Sequence, residues 1–280
     1  MKKKTRGILA AVLAGVMIFG LVGCGSKSSS GSDKAASGDN DDDTFVVGFD
    51  ENFPPFGYVG DDGEYTGFDI DLAKECAKRM NMKIVLQPID WDSKDMELAS
   101  GTIDCIWNGF TINGREDQYT WTSPYMDNSQ VVVVRSDSGI HSLSDLAGKT
   151  VEVQKESSAQ SALEDDDHSE LLSSFGDFLT VADYNTALMD LEQGTVDAVA
   201  MDIFVAKDQI AARGDDTFQI LDEQISSEQY AVGFLKGNTE LRDEVQKTLY
   251  DMVQDGTFKE ISEKWFDTDV CILDSPTAED

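Results

Sequence analysis

Two stretches of this 280-residue chain repeat one local plan: Leu98-Ala-Ser-Gly-Thr-Ile-Asp-Cys-Ile106 and Leu191-Glu-Gln-Gly-Thr-Val-Asp-Ala-Val199. In each, a helical pattern ends at a glycine, and an aspartate then opens an apolar strand. Strands alternating with helices of this length need crossover connections, which argues for an α/β fold with largely parallel strands. Each echo also delivers a polar residue, Asn108 or Asp202, to the carboxyl end of its strand, where open α/β sheets hold their ligands.

The surrounding pattern agrees. Phe45–Phe49, Lys83–Leu86, Ile103–Trp107 and Val131–Val134 read as strands, as do Thr150–Val153, Thr180–Ala182, Ala198–Met201 and Tyr230–Leu235. Helical spacing covers Phe68–Met80, Lys94–Ala99, Ser158–Glu164, Thr186–Glu192 and Leu241–Asp255, the last closed by Gly256, with Glu260–Trp265 at the end of the fold. From Thr44 onward roughly 235 residues remain, more than one typical domain, so two lobes around separate cores are expected.

The first residues carry an address. Lys2, Lys3, Lys4 and Arg6 precede the apolar run Ile8–Val22, which is short for a membrane span, and small residues lead to Cys24. This is the pattern of a bacterial lipoprotein signal. Residues 1–23 are therefore expected to be removed, Cys24 to be lipidated, and the mature protein to be extracytoplasmic, anchored to the cell membrane through its lipid. Residues 24–43 hold no large apolar side chain and read as a flexible tether.

Loss of residues 1–23 removes four cations and no acids, taking the formal charge from −32 to −36. Such a surface repels phosphate backbones and argues against nucleic-acid binding, and against membrane contact other than through the anchor. Beyond Cys24 the cysteines are Cys76, Cys105 and Cys271, and the histidines are His141 and His168. Their spacing forms no zinc pattern, and no metal or cofactor is expected. One disulfide is compatible with an exported chain, but Cys76 and Cys105 lie in apolar patterns that suit buried thiols.

The segment Asp104–Arg115 combines Asn108, Thr111, exposed turn amides and one guanidinium, and is followed by Thr122-Ser-Pro-Tyr125. A small hydroxyl with an arginine fork suits a small carboxylate.

Nine pieces run in order through residues 44–268: Gly48-Phe-Asp-Glu-Asn-Phe-Pro-Pro-Phe56, Gly67-Phe-Asp-Ile-Asp-Leu72, Gly101-Thr-Ile-Asp104, Asn108-Gly-Phe-Thr-Ile112, Arg115, Ser123-Pro-Tyr125, Asp145-Leu-Ala-Gly-Lys149, Gly194–Val199 and Lys264-Trp-Phe266. In this ordered set the chain resembles the family-3 extracellular solute-binding proteins, amino-acid receptors of ABC importers. The resemblance implies a two-lobed periplasmic-binding-protein-like fold (type II), with residues 44–132 plus 230–280 in lobe 1 and 133–229 in lobe 2. Val131–Val134 and Ser226–Ala231 would be hinge strands, and the ligand would lie in the interlobe cleft.

It also implies a site. Arg115 would clamp a ligand carboxylate, aided by the Thr111 amide and by Ser158 at a helix start. Asp202, the Gly109 carbonyl and the Thr111 hydroxyl would take the α-ammonium. Phe53 and Trp91 would sandwich the side chain, while Asp50, Asn108 and Gln154 would face it. The expected ligand is a free amino acid with a polar, cationic or glutamine-like side chain, with cystine open. The protein would act as a monomer, without catalysis, and deliver the ligand to permease subunits. Alternatives on the same fold are a dehydratase of cyclic acids or a receptor coupled to a sensor.

Read locally, several of these residues have simpler roles. Arg115 could be a surface residue, Phe53 a core plug, and Asp202 the cap of the helix that follows it. Asp69 and Asp71 open a helix and favour its dipole, and Trp265 and Phe266 pack. Two positions depart from the family pattern. The turn from Thr111 to Arg115 is one residue shorter than usual, and Glu156 stands where glycine is common. Glu156 is expected to face solvent, since an inward carboxylate would repel a ligand carboxylate.

Overall fold

The computed structural model describes residues 44–214 and 216–274. The expected signal, the tether and Cys24 lie outside the described residues. Two open five-stranded sheets organise the chain. The first runs Lys83–Pro88, Thr44–Phe49, Cys105–Ile106, Gly233–Phe234, Thr120–Trp121; the second runs Asp177–Val181, Thr150–Gln154, Ala198–Asp202, Met126–Arg135, Phe218–Tyr230. The first three strands of each are parallel to one another, and the remaining pairings are antiparallel.

The internal echo is structural. Gly101 and Gly194 both end a helix in the left-handed region, with φ of 75° and 76°. The aspartate three residues on then accepts a backbone N–H from the start of the neighbouring strand: Asp104 from Val46 at 2.7 Å, Asp197 from Thr150 at 3.0 Å. Each carboxylate thus ties down the entry of a parallel strand pair, where the ladder alone leaves a donor free.

The strand expected over Tyr230–Leu235 is divided. Tyr230 ends the long strand of the second sheet, Ala231 and Val232 make the step, and Gly233–Phe234 joins the first sheet. The continuous apolar run marks burial on both sides of that step rather than one uniform strand. The expected strand Ile103–Trp107 shortens to Cys105–Ile106 because the chain must turn at once into the Asn108 segment. The helix Ile203–Arg213 and the first half of Phe218–Tyr230 carry little periodicity; the helix has apolar residues on several faces, and the strand is interrupted by irregular pairing between Ile220 and Ser226.

Phe68 starts the helix Phe68–Arg79 and plugs the first lobe's core, its ring 5.9 Å from Phe258 and 5.0 Å from Phe266. Trp265 packs edge-on against Tyr58 and donates to Asp71, while Phe266 also meets Phe204. Cys76 and Cys105 are buried and free, and Cys271 is also free and partly exposed. Burial pushes the Cys76 thiol up to about 12 and the Cys105 thiol well above its usual range, so neither is poised to react. Among the described residues no cluster of His, Cys, Asp and Glu side chains is arranged to hold a metal, and no helix is long and apolar enough to cross a membrane.

Phe68→Ala removes a fully buried ring, and such truncations cost about 3–5 kcal/mol. A lower Tm in thermal melts is the expected outcome; an unchanged Tm would mean that the site collapses around the smaller side chain.

Candidate functional site

The carboxyl ends of strands from both sheets meet at one cleft. Thr44–Phe49 runs into Asp50, Cys105–Ile106 into Asn108, and the second-sheet strands end on Gln154 and Asp202. With Phe53, Trp91, Gly109, Ser157 and Ser158, these four residues line a small, tightly closed pocket of about 10 Å³. Topology alone therefore collects polar side chains at the place where open α/β sheets bind ligands.

The pocket is nearly closed by contacts between residues of the two halves. Gln154 Nε2 donates to Asp50 Oδ2 at 2.7 Å, and Trp91 Nε1 to the Glu156 carbonyl at 3.2 Å. Lys155 Nζ lies 2.7 Å from Asp92, and the Phe53 ring is 6.0 Å from Tyr184. Burial raises the Asp50 carboxyl to about 6, with Asp183 and Glu51 adding to the rise and hydrogen bonds from Asn52 and Gln154 opposing it. A cation entering the pocket would favour its ionised form. Two polar atoms here are buried without partners, Asn108 Nδ2 and Thr111 Oγ1. Leaving such groups unpaired costs about 1–3 kcal/mol each, which a polar ligand would return.

Arg115 stands beside this pocket rather than in it. With Thr111 it lines an adjoining, larger cavity, and Ser158 lines both. Its Nη1 donates to the Thr111 carbonyl at 3.2 Å and to Ser158 Oγ at 3.1 Å, Nη2 reaches the Glu156 carbonyl at 3.4 Å, and the guanidinium lies 5.5 Å from the Phe110 ring centre. The arginine is thus held at the cleft by groups from both halves and is no stray surface residue.

Asp202 occupies the cap position of Ile203–Arg213, yet its side chain makes no capping bond. Its Oδ1 instead accepts from Asn128 at 2.8 Å, Gln130 at 2.8 Å and the Tyr230 hydroxyl at 2.5 Å. Burial and the Glu228 charge raise its carboxyl above the usual range.

Residues 45–268 match the family described as bacterial extracellular solute-binding proteins, family 3. The chain belongs to that family. It is 32% identical to the L-cystine-binding protein TcyJ of Escherichia coli (strain K12) over 261 residues, covering 92% of this chain and 96% of the relative. It is 30% identical to the arginine-binding extracellular protein ArtP of Bacillus subtilis (strain 168), covering 92% and 97%. The structure of an ABC uptake transporter substrate-binding protein from Streptococcus pneumoniae with bound histidine superposes with a TM-score of 0.79 at 34% identity, covering 82% of this chain and 95% of that one. These relatives are binding proteins. The chain is accordingly an extracytoplasmic solute-binding protein, and its two-lobed α/β plan is the one that the ordered motifs implied.

Both departures from the family pattern have a structural reason. Arg115 N–H donates to the Ile112 carbonyl at 2.9 Å across a turn in which Gly114 has φ 76° while Asn113 keeps a negative φ. That is the type II arrangement, which needs a residue without a Cβ penalty at its third position. The shorter turn is closed by glycine, and Asn113 Oδ1 anchors it by accepting from Gln229 N at 2.8 Å. Glu156 has φ 60°, a left-handed conformation natural to glycine and strained for other residues. Its side chain is exposed, as expected, with the carboxylate 3.9 Å from Lys94 Nζ.

Several residues of this solute-binding protein escaped the sequence reading. Ser157, not Ser158, caps the helix Ser158–Glu164, accepting from Gln160 N. Asp69 does more than favour a helix dipole: fully buried, it accepts from Gly109 N–H at 2.6 Å and from the Tyr125 hydroxyl at 2.8 Å, fixing the turn in the cleft. Gly109 has φ 55°, and a Cβ there would come within 2.9 Å of Phe53. Asn128, Gln130, Tyr184, Glu228 and Tyr230 also surround the site. The alternation Asn128-x-Gln130 ahead of the valine run was the signal available for two of them.

Asp50 and Asp69, raised to about 6 and about 7, and Asp202, also raised, all bind protons more tightly folded than unfolded. The stability this confers is full below the unfolded carboxylate range and is lost as pH rises through the folded values. The ligand-free protein should therefore lose Tm between pH 4 and about pH 7, and Asp50→Asn should make that fall shallower, as read by calorimetry across pH. An unchanged slope would remove Asp50 from this group.

Proposed function

We propose that this receptor is tethered to the cell membrane through a lipid on Cys24, captures a free amino acid with a polar or cationic side chain in the cleft, and passes it to an ABC import permease. The monomer binds by closing lobe 1 (residues 44–132 and 230–280) on lobe 2 (residues 133–229), with Val131–Val134 and Ser226–Ala231 as hinges.

The observation that carries the reading is the run of polar groups from the pocket into the cavity that adjoins it. On the adjoining side Arg115, the Thr111 amide and Ser158 receive the α-carboxylate, because a guanidinium and free N–H groups match its geometry. Asp202, the Gly109 carbonyl and the orphaned Thr111 hydroxyl receive the α-ammonium. Phe53 and Trp91 flank the side chain, and the Trp91 face supports a cationic one. Asp50, with Asn108 and Gln154 around it, meets the side-chain end. A buried carboxylate at that position favours arginine, lysine, histidine or glutamine over glutamate or aspartate. Relatives that bind arginine, histidine and cystine agree with a polar ligand.

Thermal-shift screening with the twenty amino acids and cystine should give stabilisation by one or a few of them. A ligand at one hundred times its Kd adds about 2.7 kcal/mol to folding stability. Silence across the whole set would sink the amino-acid assignment for this cleft. Arg115→Ala should abolish the shift, and a variant that still responds would remove Arg115 as the clamp.

A further inference from the structure

The middle of the second sheet holds two acids where one suffices to meet an ammonium. Strand Met126–Arg135 is flanked by Ala198–Asp202 on one side and Phe218–Tyr230 on the other. Gln130 lies opposite Asp202 in one ladder, and Asn128 lies opposite Glu228 in the other. Asn128 and Gln130 are two residues apart, so they share a face, and the register puts both acids on that face with them.

The result is a closed ring of hydrogen bonds. Asn128 Nδ2 donates to Asp202 Oδ1 at 2.8 Å and to Glu228 Oε1 at 2.6 Å; Gln130 Nε2 donates to the same two oxygens at 2.8 and 2.7 Å. Both amide carbonyls are buried without a partner, so every amide N–H in the ring is committed to a carboxylate. The reverse amide orientation would set oxygen against oxygen. The four side chains are 0–5% exposed.

No cation answers these acids. Among the described residues neither Asp202 nor Glu228 forms an ion pair. Arg115 and Lys207 each line a groove with Glu228 without forming an ion pair with it, and Tyr184 and Tyr230 face Asp202 as neutral phenols. Amide donors lower the energy of a buried anion but leave its charge in place. A second carboxylate bonded to the same two amide nitrogens disfavours the ionised form of buried Asp202, which therefore holds a proton when no cation is near. A pair of neutral amides would avoid that cost, as replacement of buried charges often does.

We propose that Asp202, crowded by Glu228 across a shared pair of amides, holds a proton in the empty cleft and gives it up in exchange for the ammonium group of the captured amino acid. The inference rests on the amino-acid reading of the cleft. Asp202 lines the ligand pocket and meets the ammonium directly. Glu228 acts from behind the amide ring as a positioning residue, setting the charge that the site offers. With the ligand absent, the proton stays on Asp202. When the ammonium arrives, that proton leaves to solvent and the ionised Asp202 carboxylate meets the cation. Capture therefore tightens as pH rises through the titration of Asp202, and an N-acylated ligand, which lacks the cation, is refused.

Isothermal titration at pH 6 with L-arginine and L-glutamine, whose side chains do not titrate there, in buffers of different ionisation enthalpy, measures the released proton. The observed enthalpy should vary with buffer ionisation enthalpy with a slope approaching one proton per ligand at pH 6 and close to zero at pH 8.5. Asp50→Asn removes the other raised carboxyl of the pocket and should keep the proton release. In that background Glu228→Gln keeps an acceptor for both amides, so it should still bind, with a slope near zero at pH 6 and affinity at pH 8.5 weakened roughly tenfold, equal to about one unit of charge-linked pKa. No buffer dependence in Asp50→Asn, or full dependence in the double variant, overturns the proposal. Thermal melts of the ligand-free protein test the paired acids without a ligand: Glu228→Gln should flatten the loss of Tm as pH rises toward 8, and an unchanged loss refutes the crowding of Asp202 by Glu228. If neither amino acid binds while the melts respond as expected, the paired acids stand and the assignment of the ligand fails.

Discussion

The antiparallel pairing of Met126–Arg135 with Phe218–Tyr230 is the constraint on which the rest depends. The first strand enters the second sheet directly after the first sheet's Thr120–Trp121, and the second leaves it for Gly233–Phe234. Because the two crossings are bonded to each other, the sheets cannot drift independently. The cleft segment is bonded to the same place: Thr111 bridges Tyr230, Ile112 N–H reaches the Gln229 carbonyl, and Ala231 N–H reaches the Phe110 carbonyl. Motion of one sheet against the other therefore acts directly on the turn that carries Thr111 and Arg115.

The same pairing concentrates negative charge. Asn128 and Gln130 sit at the beginning of a strand whose later half, Val131–Val134, is wholly apolar and buried. Polar side chains at that depth are tolerated because they satisfy Asp202 and Glu228, and those acids are tolerated because the amides answer them. Burial of three carboxyls, Asp50, Asp69 and Asp202, costs stability at neutral pH. Binding proteins keep such groups where a ligand supplies the missing partner. Asp69 differs, since its two oxygens are taken up within the first lobe by Gly109 and Tyr125 and hold the turn in place.

Much of the fold was legible because periodicity and turn chemistry are local. The helix over Ser158–Glu164 and the glycine ends at Gly101, Gly194 and Gly256 follow from short-range pattern. So did the short list of cleft residues, through ordered motifs that place Asp50, Asn108, Gln154 and Asp202 at strand ends. Arg115 was legible as a cleft residue but not as one beside the small pocket, because a turn's exit direction depends on the backbone at Gly114. Glu156 shows the converse: its departure from glycine was visible in the sequence, while its positive φ and outward side chain required the fold.

By itself, the amino-acid sequence determined the α/β alternation, the family, the strand ends that line the cleft and the net negative charge, all properties carried by neighbours along the chain. Only the tertiary structure decided that Asp202 turns away from its helix, that Glu228 stands beside it 26 residues later in the chain, and that Asn128 and Gln130 bridge them. Those facts depend on which strands pair and in what register. Register is set by the packing of both sheets at once, so no stretch of sequence read alone contains it.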